Sequence, residues 1–124
     1  MKIYYREKSG GIEILRCFGI EGRVEIPGMI DDKLVISAAP YAFSSHMDEK
    51  EDLKNASLWE VSDGLEFGRE EHVLAGNDVE EIVFPYTLKE IGRYIFYGCG
   101  NLKKLEFSDS LMQIGCGAFT GCHA

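Results

Sequence analysis

The sequence predicts a mostly β chain with short helical turns, coiled as a stack of repeats, with a hairpin capping its first end and one inserted helix. Two neighbouring segments, 79–101 and 102–124, superpose with an offset of 23 residues and no gap. Short runs in each copy alternate apolar and polar residues, as strands with one dry face do. Glycine recurs at the turns of both copies, and Pro85 can close a strand of the first. The chain of 124 residues has the length of one domain, and 45% hydrophobic content is enough to build a core rather than remain disordered.

Residues 1–18 read as a capping hairpin. Ile3 and Tyr5 alternate with polar neighbours, Ile12, Ile14 and Arg16 continue the alternation, and Ser9-Gly10-Gly11 supplies the turn. A stack of repeats leaves its end face uncovered, and a hairpin at the start is an economical cover.

Residues 19–46 form a divergent repeat. Arg23-Val24-Glu25-Ile26-Pro27 matches Glu81-Ile82-Val83-Phe84-Pro85, and Pro40-Tyr41-Ala42-Phe43 matches Arg93-Tyr94-Ile95-Phe96, with five extra residues between these anchors. Val35 and Ala38 then fall near the places of Leu88 and Ile91, and Ala39 stands where Gly92 would be.

Residues 47–78 interrupt the repeats as a helical insertion or degenerate repeat. Over 47–60 the sequence suits a helix: Ser44, Ser45 or Asp48 can cap it, acidic residues crowd its first turn, and Leu53, Ala56 and Trp59 would pack inward. Gly64-Leu65-Glu66-Phe67 echoes Lys104-Leu105-Glu106-Phe107 and suggests a worn strand, after which Ala75-Gly76-Asn77-Asp78 leads into the good copies.

The two good copies share seven identities: Phe84/Phe107, Leu88/Leu111, Ile91/Ile114, Gly92/Gly115, Phe96/Phe119, Gly98/Gly121 and Cys99/Cys122. Every shared residue is apolar or glycine, whereas the differences gather at polar places. Ile82, Phe84, Leu105 and Phe107 should face one side of short strands. Gly92 and Gly115 allow a positive φ or a close backbone approach. Ile95-Phe96 and Ala118-Phe119 should turn phenylalanine back inward. Burying about six apolar side chains per copy contributes on the order of 10–15 kcal/mol, less than the entropy lost in ordering some 23 residues. A single copy therefore cannot fold alone and must stack on another.

Ile91-Gly92-x-x-Ile95-Phe96-x-Gly98-Cys99 and Ile114-Gly115-x-x-Ala118-Phe119-x-Gly121-Cys122 resemble the BspA-type leucine-rich repeat of bacteria. The resemblance implies a leucine-rich-repeat-like right-handed solenoid with parallel strands and a role in binding, often in adhesion or surface contact.

The formal net charge of −8 disfavours phosphate backbones and anionic lipid, so neither nucleic acid nor a membrane surface is the expected partner. No run reaches the ~18 apolar residues needed to span a bilayer. The first residues carry no apolar signal core, which reads as a cytoplasmic location. The end at Ala124 coincides with a repeat boundary. That is expected of a piece of a longer array, or of a chain whose last rung self-associates.

Nothing in the sequence carries the spacing of a catalytic or nucleotide-binding motif, and no cofactor is expected. Cys17, Cys99, Cys116 and Cys122 are expected as reduced thiols, with Cys116 the most exposed and Cys99 stacked near Cys122 at a spacing a disulfide could also bridge. A His46/Cys99/Cys122 metal column is conceivable, but ladders rarely converge ligands on one point. The candidate site is instead the outward strand face, with Arg23, Glu81 and Lys104 in one column and Glu25, Val83 and Glu106 in the next. The plainer reading of these residues is that they pair across strands and solubilise the sheet. Tyr4, Tyr86, Tyr94 and Tyr97 are candidate anchors for a protein partner.

Overall fold

The computed structural model describes residues 1–19, 22–45, 56–60, 72–107 and 110–120. Its described residues are mostly strand, with one short 3-10 turn at Gly76–Asp78. Strands β1 (Lys2–Lys8) and β2 (Gly11–Gly19) form the expected antiparallel hairpin, closed by Ser9 and Gly10, both at positive φ.

The repeats lie over one another in two parallel ladders. In the first, β3 (Arg23–Glu25), β8 (Glu81–Val83) and β10 (Lys104–Glu106) make a three-stranded sheet in the order β10-β8-β3. Its register sets Val24 beside Ile82 and Ile82 beside Leu105, which matches the alignment of the three copies. The second ladder runs through β5 (Lys33–Ala38), β9 (Glu90–Ile91) and β11 (Gln113–Ile114), with Ala38 beside Ile91 and Ile91 beside Ile114. The Ile-Gly pairs expected as turns thus end short strands.

A third line of contact follows. The Phe43 N–H donates to the Ile95 carbonyl at 3.0 Å, and the Phe96 N–H to the Ala118 carbonyl at 3.0 Å. Rings stack along the same line: Phe43 lies 6.1 Å from Phe96, and Phe96 lies 5.4 Å from Phe119. Between the ladders lies the core, in which Val24, Val35, Phe43, Ile82, Leu88, Ile95 and Phe96 are all buried.

The five extra residues of the divergent repeat are a hairpin. β4 (Met29–Ile30) pairs back on β5 through Asp31 and Asp32, whose φ values of 53° and 60° give the left-handed two-residue turn that suits the twist of paired strands.

One expectation is corrected. The predicted helix over 47–60 is not supported: Ser57–Glu60 is a strand, β6, which pairs antiparallel with β1 and sets Trp59 beside Ile3. Edge pairing to β1 outweighs the local helix preference there, since Trp59 gains the core either way and β1 gains a ladder partner. Residues 46–55 and 61–71, including Asp48, Leu53 and Gly64-Leu65-Glu66-Phe67, lie outside the described residues. β3 pairs directly with β8. The chain returns at β7 (His72–Val73) to pair with β2.

The hairpin does more than cover an end. β2 pairs in parallel with β5, Ile12 beside Val35 and Ile14 beside Ala38, so it takes the place of a preceding rung in the second ladder. Buried Arg16 ties it to the next turn, donating to the carbonyls of Tyr41 at 2.7 Å, Ala42 at 3.1 Å and Ser44 at 2.7 Å.

Candidate functional site

On the β3-β8-β10 sheet, alternation sends Val24 and Ile82 into the core and leaves the flanking residues on the outer face. The register then assembles the expected columns: Arg23, Glu81 and Lys104 side by side, and Glu25, Val83 and Glu106 side by side. All six sequence-predicted site residues are therefore brought together on one face.

Charges on this face compensate one another. Arg23 Nε lies 3.2 Å from Glu81 Oε2 across the strands, and Arg23 Nη1 lies 3.6 Å from Glu25 Oε2 along its own strand. Lys104 pairs with Glu106 at 3.1 Å within β10. These side chains are about half exposed, so each pair contributes at most about 1 kcal/mol to stability. Such weak pairs open at little cost when a partner offers its own charges.

The tyrosines do not gather on this face. Tyr86, which follows β8, is 74% exposed. Tyr94 stacks on Tyr41 at 5.5 Å and meets Tyr97 edge-on at 6.0 Å along the turn ladder, and Tyr4 packs edge-on against Phe18 in the hairpin. Of these four tyrosines Tyr86 is the exposed one, and the other three are half-buried.

A second polar site lies at the other ladder and has no signal in the sequence. Glu13, in the middle of β2, is 1% exposed, where alternation with Ile12 and Ile14 predicts an outward side chain. It accepts from Arg6 Nε at 2.6 Å, Lys8 Nζ at 3.2 Å and Ser37 Oγ at 3.0 Å. The hydrogen bond to Glu13 holds the Lys8 ammonium above the usual lysine range, in opposition to partial desolvation. Beside this network a cleft of about 280 Å³ is lined by Lys8, Glu13, Ser37, Glu90, Arg93 and Gln113. Lys8 bridges Glu13 at 3.2 Å and Glu90 at 3.4 Å beside it, so the network ties the hairpin to the repeat.

The thiols fall largely where expected. Cys17 and Cys99 are buried and Cys116 is exposed, each as a free cysteine. The Cys99 thiol donates to the Phe43 carbonyl at 3.3 Å. Burial pushes Cys17 from the ordinary 9.0 up to about 12. His46 and Cys122 lie outside the described residues, so neither the metal column nor the Cys99–Cys122 pair is described. Among the described residues, no group of three or more His, Cys, Asp or Glu is arranged to hold a metal.

Residues 70–124 match the family model described as the BspA type leucine rich repeat region. No curated protein matches the chain. Among solved structures it is similar to the leucine rich repeat protein TpLRR of T. pallidum, with a TM-score of 0.66 and 23% identity over 94% of this chain and 42% of that one. It is also similar to a leucine rich cell surface protein of Faecalibacterium prausnitzii A2-165, with a TM-score of 0.62 and 19% identity over 95% of this chain and 26% of that one. The chain thus spans less than half the length of either structure. The resemblance carried by the Ile-Gly-x-x-(Ile/Ala)-Phe-x-Gly-Cys copies holds: residues 70–124 carry the BspA-type leucine rich repeat signature, on a leucine-rich-repeat-like fold.

Proposed function

We propose that the chain is a non-catalytic protein-binding module, a right-handed solenoid of leucine-rich repeats that meets its partner on the β3-β8-β10 face. The observation that carries this reading is the register, which turns three distant segments into one exposed surface bearing Arg23, Glu25, Glu81, Val83, Lys104 and Glu106. The short strands offer a flat surface of paired charges, and Val83 provides a partly exposed apolar point among them. Such a surface suits a protein partner with charges of both signs better than a polyanion. No described helix is long and apolar enough to cross a membrane.

The direct test is charge reversal. A partner captured with the chain should lose at least about tenfold in affinity with Glu81→Lys, Lys104→Glu or Glu106→Lys, because a like charge replaces each complement. Unchanged affinity for all three variants excludes this face as the site.

A second reading, an exported surface adhesin module of the same fold, is favoured by the F. prausnitzii neighbour, which is described as a cell surface protein. Immunodetection of the native protein on intact cells tests this reading, and its absence from the surface excludes it. A third reading, in which the repeats only space neighbouring domains, predicts no captured partner at all.

A further inference from the structure

We propose that two copies of this chain pair through the outer edge of β10 as a two-fold antiparallel strand pair centred on Leu105. The inference does not depend on the partner-binding reading. It starts from an asymmetry between equivalent positions. Phe84, Ile91 and Phe96 are 4%, 2% and 0% exposed, whereas their counterparts Phe107, Ile114 and Phe119 are 37%, 48% and 44% exposed. Met112, on the same rung, is 81% exposed. No described strand pairs with β10 or β11 on the side away from β8 and β9. Among the described residues, an apolar face thus lies beside an unpaired strand edge.

The backbone says how that edge can be filled. The Lys104 N–H donates inward to the Glu80 carbonyl, and the Glu106 carbonyl accepts inward from the Phe84 N–H. A residue's own N–H and C=O share a direction in a strand, and the direction alternates along it. Leu105 therefore turns both groups outward. An antiparallel pair centred on Leu105 is the hydrogen-bonded kind, in which the two leucines exchange both N–H···O bonds.

The same arrangement sets Lys104 opposite Glu106 of the second copy, and Glu106 opposite its Lys104. Both cross-strand contacts are attractive. The rival is head-to-tail growth, with β10 laid parallel on β3 of the next copy in the register the repeats already use. That sets Lys104 against Arg23 and Glu106 against Glu25, two like-charge contacts. Charge selects the closed two-fold pair over an open chain of copies.

Sedimentation equilibrium of the 124-residue chain, from micromolar to high micromolar concentration, should show a monomer–dimer equilibrium. Lys104→Glu alone and Glu106→Lys alone should each weaken dimerisation by more than about tenfold, since each places like charges at both symmetric contacts. An equimolar mixture of the two single variants should regain dimer as a heterodimer, because every cross-strand contact is then a Glu–Lys pair. Circular dichroism melts of each variant check that the monomers remain folded, and recovery in the mixture itself requires folded partners. A parent chain that stays monomeric overturns the proposal. So does a dimer indifferent to the single changes, or a mixture that does not recover.

Discussion

Phe96 and Phe119 lie with ring centroids 5.4 Å apart on adjacent rungs, yet Phe96 is fully buried while Phe119 is 44% exposed. The same residue at the same repeat position thus has two energetic roles, set by whether another layer covers it. Phe96 is held between Phe43 and Phe119, so its removal leaves a cavity between two packed rings. Phe96→Ala should cost about 3–5 kcal/mol, and Phe119→Ala only about 1–2 kcal/mol. Urea unfolding midpoints at low protein concentration compare the two. Equal costs would mean that the outer rung is covered in solution.

Gly92 shows what the repeated Ile-Gly pair is for. A Cβ there would lie 2.3 Å from Pro40 N, and one at Gly115 would lie 2.3 Å from Arg93 N, so each glycine admits the backbone of the preceding rung. Neither has a positive φ, and of the two roles glycine could play, close approach is the one used. Gly92→Ala should therefore cost at least about 2–3 kcal/mol through overpacking. Gly28→Ala, whose Cβ would meet nothing nearer than 3.7 Å, should stay within about 0.5 kcal/mol. Thermal melts of this pair test the assignment, and similar costs for both would defeat it.

The two good copies were legible because their signal is repeated. Aligning Ile82 with Leu105 and Val24 with Ile82 amounts to stating a strand register, and the parallel ladders follow it residue by residue. Ala38 fell correctly on Ile91 although five extra residues precede it, because the β4–β5 hairpin bulges outward without shifting the rung. Tertiary competition, by contrast, leaves no mark in a local residue pattern. Ser57–Glu60 joins β1 because that strand has an open edge, a fact absent from its own local pattern. Glu13 is hidden for the same reason: alternation places it outward, and Arg6 and Lys8 of β1 and Ser37 of β5 then enclose it. The six strand-face residues were legible as a group, since once the repeat was aligned their columns followed.

Arg16 should prove one of the most costly charged residues to remove. Its guanidinium is held by three carbonyls of the 41–44 turn, and the residue is 3% exposed. Arg16→Met relieves the desolvation of a cation but leaves those acceptors without this donor. The net loss should be about 2–3 kcal/mol. Arg16→Lys should recover only part of it, because an ammonium lacks the planar fork that reaches several acceptors at once. Denaturant titration of the three proteins gives the order, and an Arg16→Met protein as stable as the parent would show that the hairpin docks through apolar contacts alone.

Cys17 links the core to alkaline pH. Its thiol is fully buried and held protonated up to about 12, against an ordinary 9.0. Below pH 9 the folded and unfolded chains both carry the neutral thiol, and the group adds no pH dependence. Above that pH only the unfolded chain can ionise it, so the folded state loses stability as pH rises, by up to about 1.4 kcal/mol per pH unit. The loss runs from the ordinary thiol value towards 12, and Cys17→Ala should flatten it even though the substitution lowers stability at neutral pH. Urea midpoints of parent and variant across this range isolate the slope, and parallel curves would place Cys17 in contact with water. Peptide mapping after brief alkylation offers a second reading of the same burial. Cys116 should be labelled in the native chain, and Cys17 and Cys99 only after denaturant is added.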